Sequence, residues 1–254
     1  MSVFSIKNLC FSYFTDKGET KALSDINLTV EKGQFISIVG PSGCGKSTLL
    51  SLMSGLIAPT FGSILINGKS VEEGKGEIGY MLQKDHLFEW RTVYGNVCLG
   101  FDIHKKKDTR HMAEHYLSQY GLSDFKNAKP SELSGGMRQR VALIRTLMME
   151  PAILLLDEPF SALDYQTRLS VCDDISSIIK KEKKTAILVT HDLAEAISVG
   201  EVVYVLTSRP GKIKSVIPLT FPKQMTSLER RHTPEFNTYY NILWKEFMPD
   251  EATK

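Results

Sequence analysis

Residues Gly40-Pro41-Ser42-Gly43-Cys44-Gly45-Lys46-Ser47-Thr48 carry the spacing G-x-x-x-x-G-K-S, a pattern built to hold phosphate. Glycines let consecutive backbone N–H groups turn inward around an anion, and the positive end of a following helix adds to the attraction. In such a loop Lys46 reaches the β- and γ-phosphates of a nucleoside triphosphate, and the Ser47 hydroxyl takes a position on Mg²⁺. Further along, Ile153-Leu154-Leu155-Leu156-Asp157-Glu158 sets two carboxylates at the end of an apolar run. Behind a phosphate loop, Asp157 is suited to hold Mg²⁺, directly or through water. Glu158 is suited to orient or deprotonate an attacking water. A third stretch, Leu133-Ser134-Gly135-Gly136-Met137-Arg138-Gln139-Arg140, opens a helix on Ser-Gly-Gly. That is a second helix N-terminus able to cradle phosphate, and one nucleotide cannot easily use both from a single chain.

These groups need elements to carry them. The apolar run Phe35–Val39 reads as a strand into the phosphate loop, and Leu49-Leu50-Ser51-Leu52-Met53 as the helix that follows. Val3–Phe11 and Ile26–Val30 read as strands separated by the polar loop Thr15–Thr20, and Glu31-Lys32-Gly33 as a turn. Ala58–Gly62 breaks the pattern, Ser63–Lys69 reads as a short strand ending in a turn, and Ile78–Leu82 as a buried strand. From about Phe88 to Glu150 strand signals vanish, and Asp108–Tyr120 and Gly136–Met149 carry helical spacing. Strands resume at Ala152–Leu156, Thr185–Val189 and Glu201–Leu206, the last without clean alternation, as for a strand buried on both faces. Strands alternating with helices predict an α/β fold with a mainly parallel sheet. The tail from Lys223 reads as a short helical appendage.

The 254 residues suffice for one large domain or two lobes, with 42% hydrophobic and 24% charged residues. A net charge of +2 gives no reason to expect nucleic acid as a partner. Cys10, Cys44, Cys98 and Cys172 form no C-x-x-C pair, so neither a zinc site nor a disulfide framework is suggested, and a reducing setting fits. The start lacks the pattern of a signal peptide, and no apolar run approaches the length needed to cross a bilayer. A membrane role therefore requires a partner that spans. His111 and His115 lie one helical turn apart without the glutamate of a metalloprotease pattern and read as a solvated face. Lys105-Lys106-Lys107 and Lys180–Lys184 read as exposed charge.

With these motifs in this order the chain resembles the nucleotide-binding subunits of ATP-binding-cassette (ABC) transporters, whose signature motif is L-S-G-G-Q; here Met137 stands for the Gln. The resemblance spans Phe4 to about Pro222. It implies a P-loop NTPase of ABC type, with a mainly parallel core, an N-terminal antiparallel β region and a helical subdomain. It further implies that two protomers pack head to tail, Ser134, Gly135 and Gly136 of each closing over the nucleotide on the other's P-loop, residues 40–48. Tyr13 takes the place of an aromatic that stacks on adenine; the alternative reading is a tyrosine at a strand end. Gln83 matches the Q-loop glutamine that contacts Mg²⁺. Ser161-Ala162-Leu163-Asp164 matches the D-loop, which crosses the dimer interface. His191 matches the switch histidine at the γ-phosphate.

Leu87-Phe88-Glu89-Trp90-Arg91-Thr92-Val93 and Ser208-Arg209-Pro210-Gly211-Lys212-Ile213 look like stretches of the ATPases of nitrate, sulfonate and taurine importers, and of thiamine-precursor importers. Phe88 and Trp90 are then either core residues or part of a groove for a permease helix. The expected division is 1–87 and 150–222 for the ATP-binding core, 88–149 for the helical subdomain with the signature motif, and 223–254 for the appendage. The expected function is an ATPase subunit, homodimeric, at the cytoplasmic face of the membrane. It would bind ATP and Mg²⁺ and power uptake through separate permease subunits, with an extracytoplasmic solute-binding protein indirectly involved. The rivals are an exporter ATPase, a soluble ABC-type ATPase and a P-loop kinase.

Overall fold

Two long strands open the chain: β1 (Ser2–Thr15) and β2 (Gly18–Glu31) run antiparallel, Phe4 opposite Val30 and Tyr13 opposite Thr20. The computed structural model describes residues 2–16, 18–104, 110–222 and 225–247. Glu19 and Thr20, expected in a loop, pair inside this hairpin, because an antiparallel ladder continues where both faces meet water. Lys17 of that expected loop lies outside the described residues, as do Lys105-Lys106-Lys107, Asp108 at the expected helix start, and Lys223 and residues 248–254 of the appendage. β4 (Phe61–Ile66) and β5 (Lys69–Ser70) complete a four-stranded sheet in the order β2-β1-β4-β5. Phe61 and Gly62 were expected to break the pattern and instead begin β4.

The second sheet joins β3 (Phe35–Val39), β6 (Ile78–Met81), β7 (Ile153–Asp157), β8 (Thr185–Thr190), β9 (Val202–Leu206) and β10 (Ile213–Pro218). Their order is β10-β9-β3-β8-β7-β6, and every neighbouring pair is parallel except β10 with β9. β10 was missed in the sequence, since its residues are only half-buried at a sheet edge. Central strands β3 and β8 are buried along their whole length and mostly apolar, because both faces are covered. Ile153 and Leu155 of β7 pack with Leu49, Leu52 and the antiparallel sheet, whereas Leu154 and Leu156 pack with Val141, Ile144 and Ile175 on the opposite face.

Helices supply those covers. α1 (Lys46–Met53) follows β3; α2 (Val93–Val97), α3 (Leu99–His104), α4 (Arg110–Gln119) and α5 (Gly135–Leu147) form the strand-free stretch; α6 (Tyr165–Lys181) and α7 (Leu193–Val199) flank β8. α8 (Ser227–Arg230) and α9 (Pro234–Phe247) follow. Phe236 and Leu243 of α9 share a third apolar cluster with Val39, Leu193, Ile197 and Val205. This terminal helix is therefore a cover on the core next to the phosphate-loop strand. No helix among the described residues is long and apolar enough to cross a membrane.

Candidate active site

Strand register fixes the site. Val39 of β3 stands opposite Thr190 of β8, and Val189 of β8 opposite Asp157 of β7. Gly40, His191 and Glu158 each come next in the chain, so three adjacent parallel strands deliver them to one edge, where ligands of such sheets bind. Ser42, Gly43, Gly45, Lys46, Ser47, Thr48, Glu158, His191 and Arg209 line a cleft of about 530 Å³ there.

The phosphate loop is held from below. Lys46 is buried, and its Nζ donates to the carbonyls of Gly40 at 2.7 Å and Pro41 at 3.0 Å. Gly45 caps α1 with φ of 107°, a conformation that disfavours a side chain, and a Cβ there would lie 2.8 Å from Leu23 Cδ2. Cys44 fills a variable position but is buried beneath the loop, and burial raises its thiol above the ordinary range. A Cβ on Gly40 would meet that sulfur at 2.7 Å. The thiol thus belongs to the packing, and only the Cys44 backbone remains for phosphate. Tyr13 is exposed at the rim, its hydroxyl 3.0 Å from Thr48 Oγ1 and its ring edge-on to Phe11.

Glu158 has φ of 42°, in the left-handed region, a conformation that costs a non-glycine residue about 1 kcal/mol or more. Its N–H donates to Val189 O at 2.9 Å, and Ser161 Oγ donates to its carbonyl at 3.0 Å, which together hold the turn. Its Oε2 lies 3.1 Å from His191 Nδ1 and accepts from Gln83 Nε2 at 3.4 Å. Beside it, Asp157 accepts from the Tyr80 hydroxyl at 3.3 Å. Burial and then the Glu158 charge raise the Asp157 carboxyl above its usual range. A half-buried carboxylate beside a second one suits a cation, and the Ser47 hydroxyl adds a hard oxygen ligand of the kind Mg²⁺ takes.

The Ser-Gly-Gly stretch stands apart from this cleft. Ser134 caps α5, its Oγ accepting from Met137 N at 3.3 Å. A Cβ on Gly135 would lie 2.9 Å from Leu163 Cδ2, and one on Gly136 would lie 2.7 Å from Val171 Cγ2, so α5 packs closely on the start of α6. Asp164 caps α6, accepting from Thr167 N at 3.1 Å, a bond that holds its carboxyl below the usual range. Of the residues the sequence singles out, the structure brings Lys46, Ser47, Glu158 and His191 to one cleft, with Gln83 bonded to Glu158. Tyr80 of β6 carries no such signal, because its contact with Asp157 of the neighbouring β7 exists only once the two strands pair. Arg209, in an Arg-Pro-Gly turn after buried β9, also lines the cleft, and the turn sequence is its only local signal. His111 and His115 are exposed, and among the described residues no cluster of acidic, His or Cys side chains is arranged to hold a metal. Lys184, expected exposed, is half-buried and donates to Pro151 O at 3.2 Å.

Comparison with known proteins follows the same lines. Residues 23–161 match the family model described as ABC transporter. An ABC transporter ATP-binding protein of Bacillus subtilis, YtlC, itself uncharacterized, is 44% identical over 97% of this chain and 96% of its own length. The aliphatic sulfonates import ATP-binding protein SsuB of Bacillus licheniformis is 41% identical over 92% of this chain and 90% of its own. The taurine import ATP-binding protein TauB of Pelagibacter ubique is 43% identical over 87% and 84%. Among solved structures, the ATP-binding cassette MJ0796, dimeric in a post-hydrolysis state with ADP and Pi, superposes with a TM-score of 0.73 at 31% identity, covering 86% of this chain and 100% of that one.

Proposed function

This chain belongs to the ABC transporter family as an ATP-binding subunit with transport-coupled ATPase activity, and from that premise we propose that it powers import of a small solute through separate permease subunits. The observation that carries import is the pair of relatives named for sulfonate and taurine import, similar over most of both chains. The solute class favoured is therefore a small sulfonate-like anion or a comparable small molecule, with the choice made by the permease and an extracytoplasmic binding protein. The ATPase works as a homodimer on the cytoplasmic face of the membrane.

The cycle proposed uses the geometry above. Backbone N–H groups of residues 42–48 and the Lys46 ammonium bind the ATP phosphates, and Tyr13 stacks on the adenine. Ser47, Asp157 and Gln83 would hold Mg²⁺, which would neutralise charge on the phosphate oxygens. The N-terminus of α5, with Ser134, Gly135 and Gly136 of the partner subunit, closes over the γ-phosphate, and Asp164 lies at the interface. Glu158 positions water in line with the γ-phosphate, and His191 stabilises the γ-phosphate as charge develops and orients Glu158. Residues 1–87 and 150–222 act as the nucleotide core, 88–149 as the helical subdomain and 223–254 as a C-terminal helical appendage. Gln83 and the stack of half-buried Phe88 on exposed Trp90, with ring centroids 4.5 Å apart, face the permease.

Purification of the tagged protein from its native membranes, with identification of what accompanies it, tests the import reading. A small permease together with a solute-binding protein is expected. A permease with no binding protein in the same complex or operon would turn the reading to export, and no membrane partner at all would turn it to a soluble ATPase.

A further inference from the structure

The turn between β9 and β10 leans on the phosphate loop in a way the ATPase cycle above does not use. Gly211 N donates to Ala22 O at 2.9 Å, and Ser24 N donates to Gly211 O at 2.9 Å, stitching the turn to β2. A Cβ on Gly211 would lie 2.3 Å from the Cys44 carbonyl, so the turn also presses on the back of the phosphate loop. Within the turn, Thr207 N donates to Lys212 O at 2.9 Å and Lys212 N to Thr207 Oγ1 at 3.0 Å. A turn pinned at this many points holds its side chains in place.

What it holds is Arg209. Its guanidinium comes within 4.0 Å of the position a Cβ would take on Gly43, at the tip of the phosphate loop, and it lines the cleft with Lys46, Ser47, Glu158 and His191. Lys46 Nζ already donates to the carbonyls of Gly40 and Pro41 while facing the cleft, whereas Arg209 is exposed and, among the described residues, has no hydrogen bond or ion pair. A rigidly presented, unpaired guanidinium over a phosphate cradle matches a phosphate oxygen in charge and fork geometry.

We propose that Arg209 is a nucleotide-binding residue that contacts the phosphate chain from the mouth of the cleft, opposite Lys46. The proposal rests on the reading of residues 40–48 as the nucleotide site. Its consequence is that affinity depends on the β9–β10 turn as well as on the phosphate loop.

Binding of MgATP and MgADP to the full chain, followed by fluorescence or calorimetry, tests it with Arg209→Gln and Arg209→Lys. Because Arg209 is exposed, neither variant disturbs the core. Arg209→Gln is expected to weaken both nucleotides about 5- to 30-fold and to flatten the salt dependence of binding, with Arg209→Lys recovering part of the loss. Thr207→Ala, which loosens the turn but keeps the charge, is expected to give a smaller loss. Unchanged affinity and salt dependence in Arg209→Gln overturns the proposal, as does a loss confined to ATP-driven dimerisation with MgADP binding to the monomer intact. Lys46→Ala in parallel separates the two levels. If it too retains full nucleotide affinity, the phosphate-loop reading fails; if it alone loses binding, only the role of Arg209 fails.

Discussion

Glu158 combines a strained backbone with a carboxylate gripped by two neighbours. Strain kept at φ of 42° is tolerated because Val189 and Ser161 hold the turn, and it aims the side chain into the cleft instead of back along β7. His191 Nδ1 and Gln83 Nε2 both reach Oε2. The acid is therefore poised by groups from β8 and from the loop after β6, and its position reports on both. Glu158→Gln keeps the size and the hydrogen bond from Gln83 while removing the base. Turnover is expected to fall about 100-fold or more, with ATP binding retained and an ATP-bound dimer accumulating. Phosphate release and light scattering measure the two effects, and retained turnover would show that another group activates water.

At the scale of elements, arginines tie separate segments around the cleft together. Arg168 of α6 donates to Leu163 O at 2.9 Å and lies 3.7 Å from Asp192 and 3.9 Å from Glu195, linking the loop before α6 to the His191 turn. Arg138 and Arg145 of α5 reach Asp85 Oδ2 at 3.1 Å and the carbonyls of His86 and Asp85 at 2.7 Å each, linking the signature helix to the segment after Gln83. Glu195 sits buried under the switch turn, accepting from Thr190 Oγ1 at 2.7 Å, and burial above all pushes its carboxyl up to about 7. A raised carboxyl binds its proton more tightly folded than unfolded. It therefore favours the folded state below the unfolded pKa of 4.5, and that contribution is lost as pH rises to about 7. Glu195→Gln is expected to remove up to about 3 kcal/mol of this pH dependence of stability. Urea unfolding of both proteins at pH 5 and pH 8 measures it, and parallel curves would show that Glu195 titrates normally. The long apolar runs of β3, β7 and β8 and the glycine spacing of residues 40–48 were legible because burial on both faces and a phosphate cradle each leave a strong local pattern. The arginine ties, β10 and the inward thiol of Cys44 were not, since each depends on which distant backbone packs alongside.

For the whole molecule, the same division decides what faces solvent. Phe88 and Trp90 stack on each other with Trp90 71% exposed, so Trp90 is no core residue. This pair, half-buried at Phe88 and exposed at Trp90, follows the arginine-clamped Asp85 and His86, which places it beside a direct tie to α5. Phe88→Ala with Trp90→Ala is expected to leave MgATP affinity and the isolated ATPase rate within about two-fold, while lowering transport-coupled turnover in the reconstituted complex about ten-fold or more. Equal transport by the double variant would remove this surface from the coupling path. Finally, the cleft and the capped N-terminus of α5 lie at separate places on the same chain. If each supplies half of a composite site, a lone copy is two unfinished halves and a pair is two finished wholes. Hydrolysis then becomes second order in the free chain at low concentration. A membrane complex that holds two copies side by side abolishes that dilution penalty, making the permease an activator of its own motor before any solute arrives.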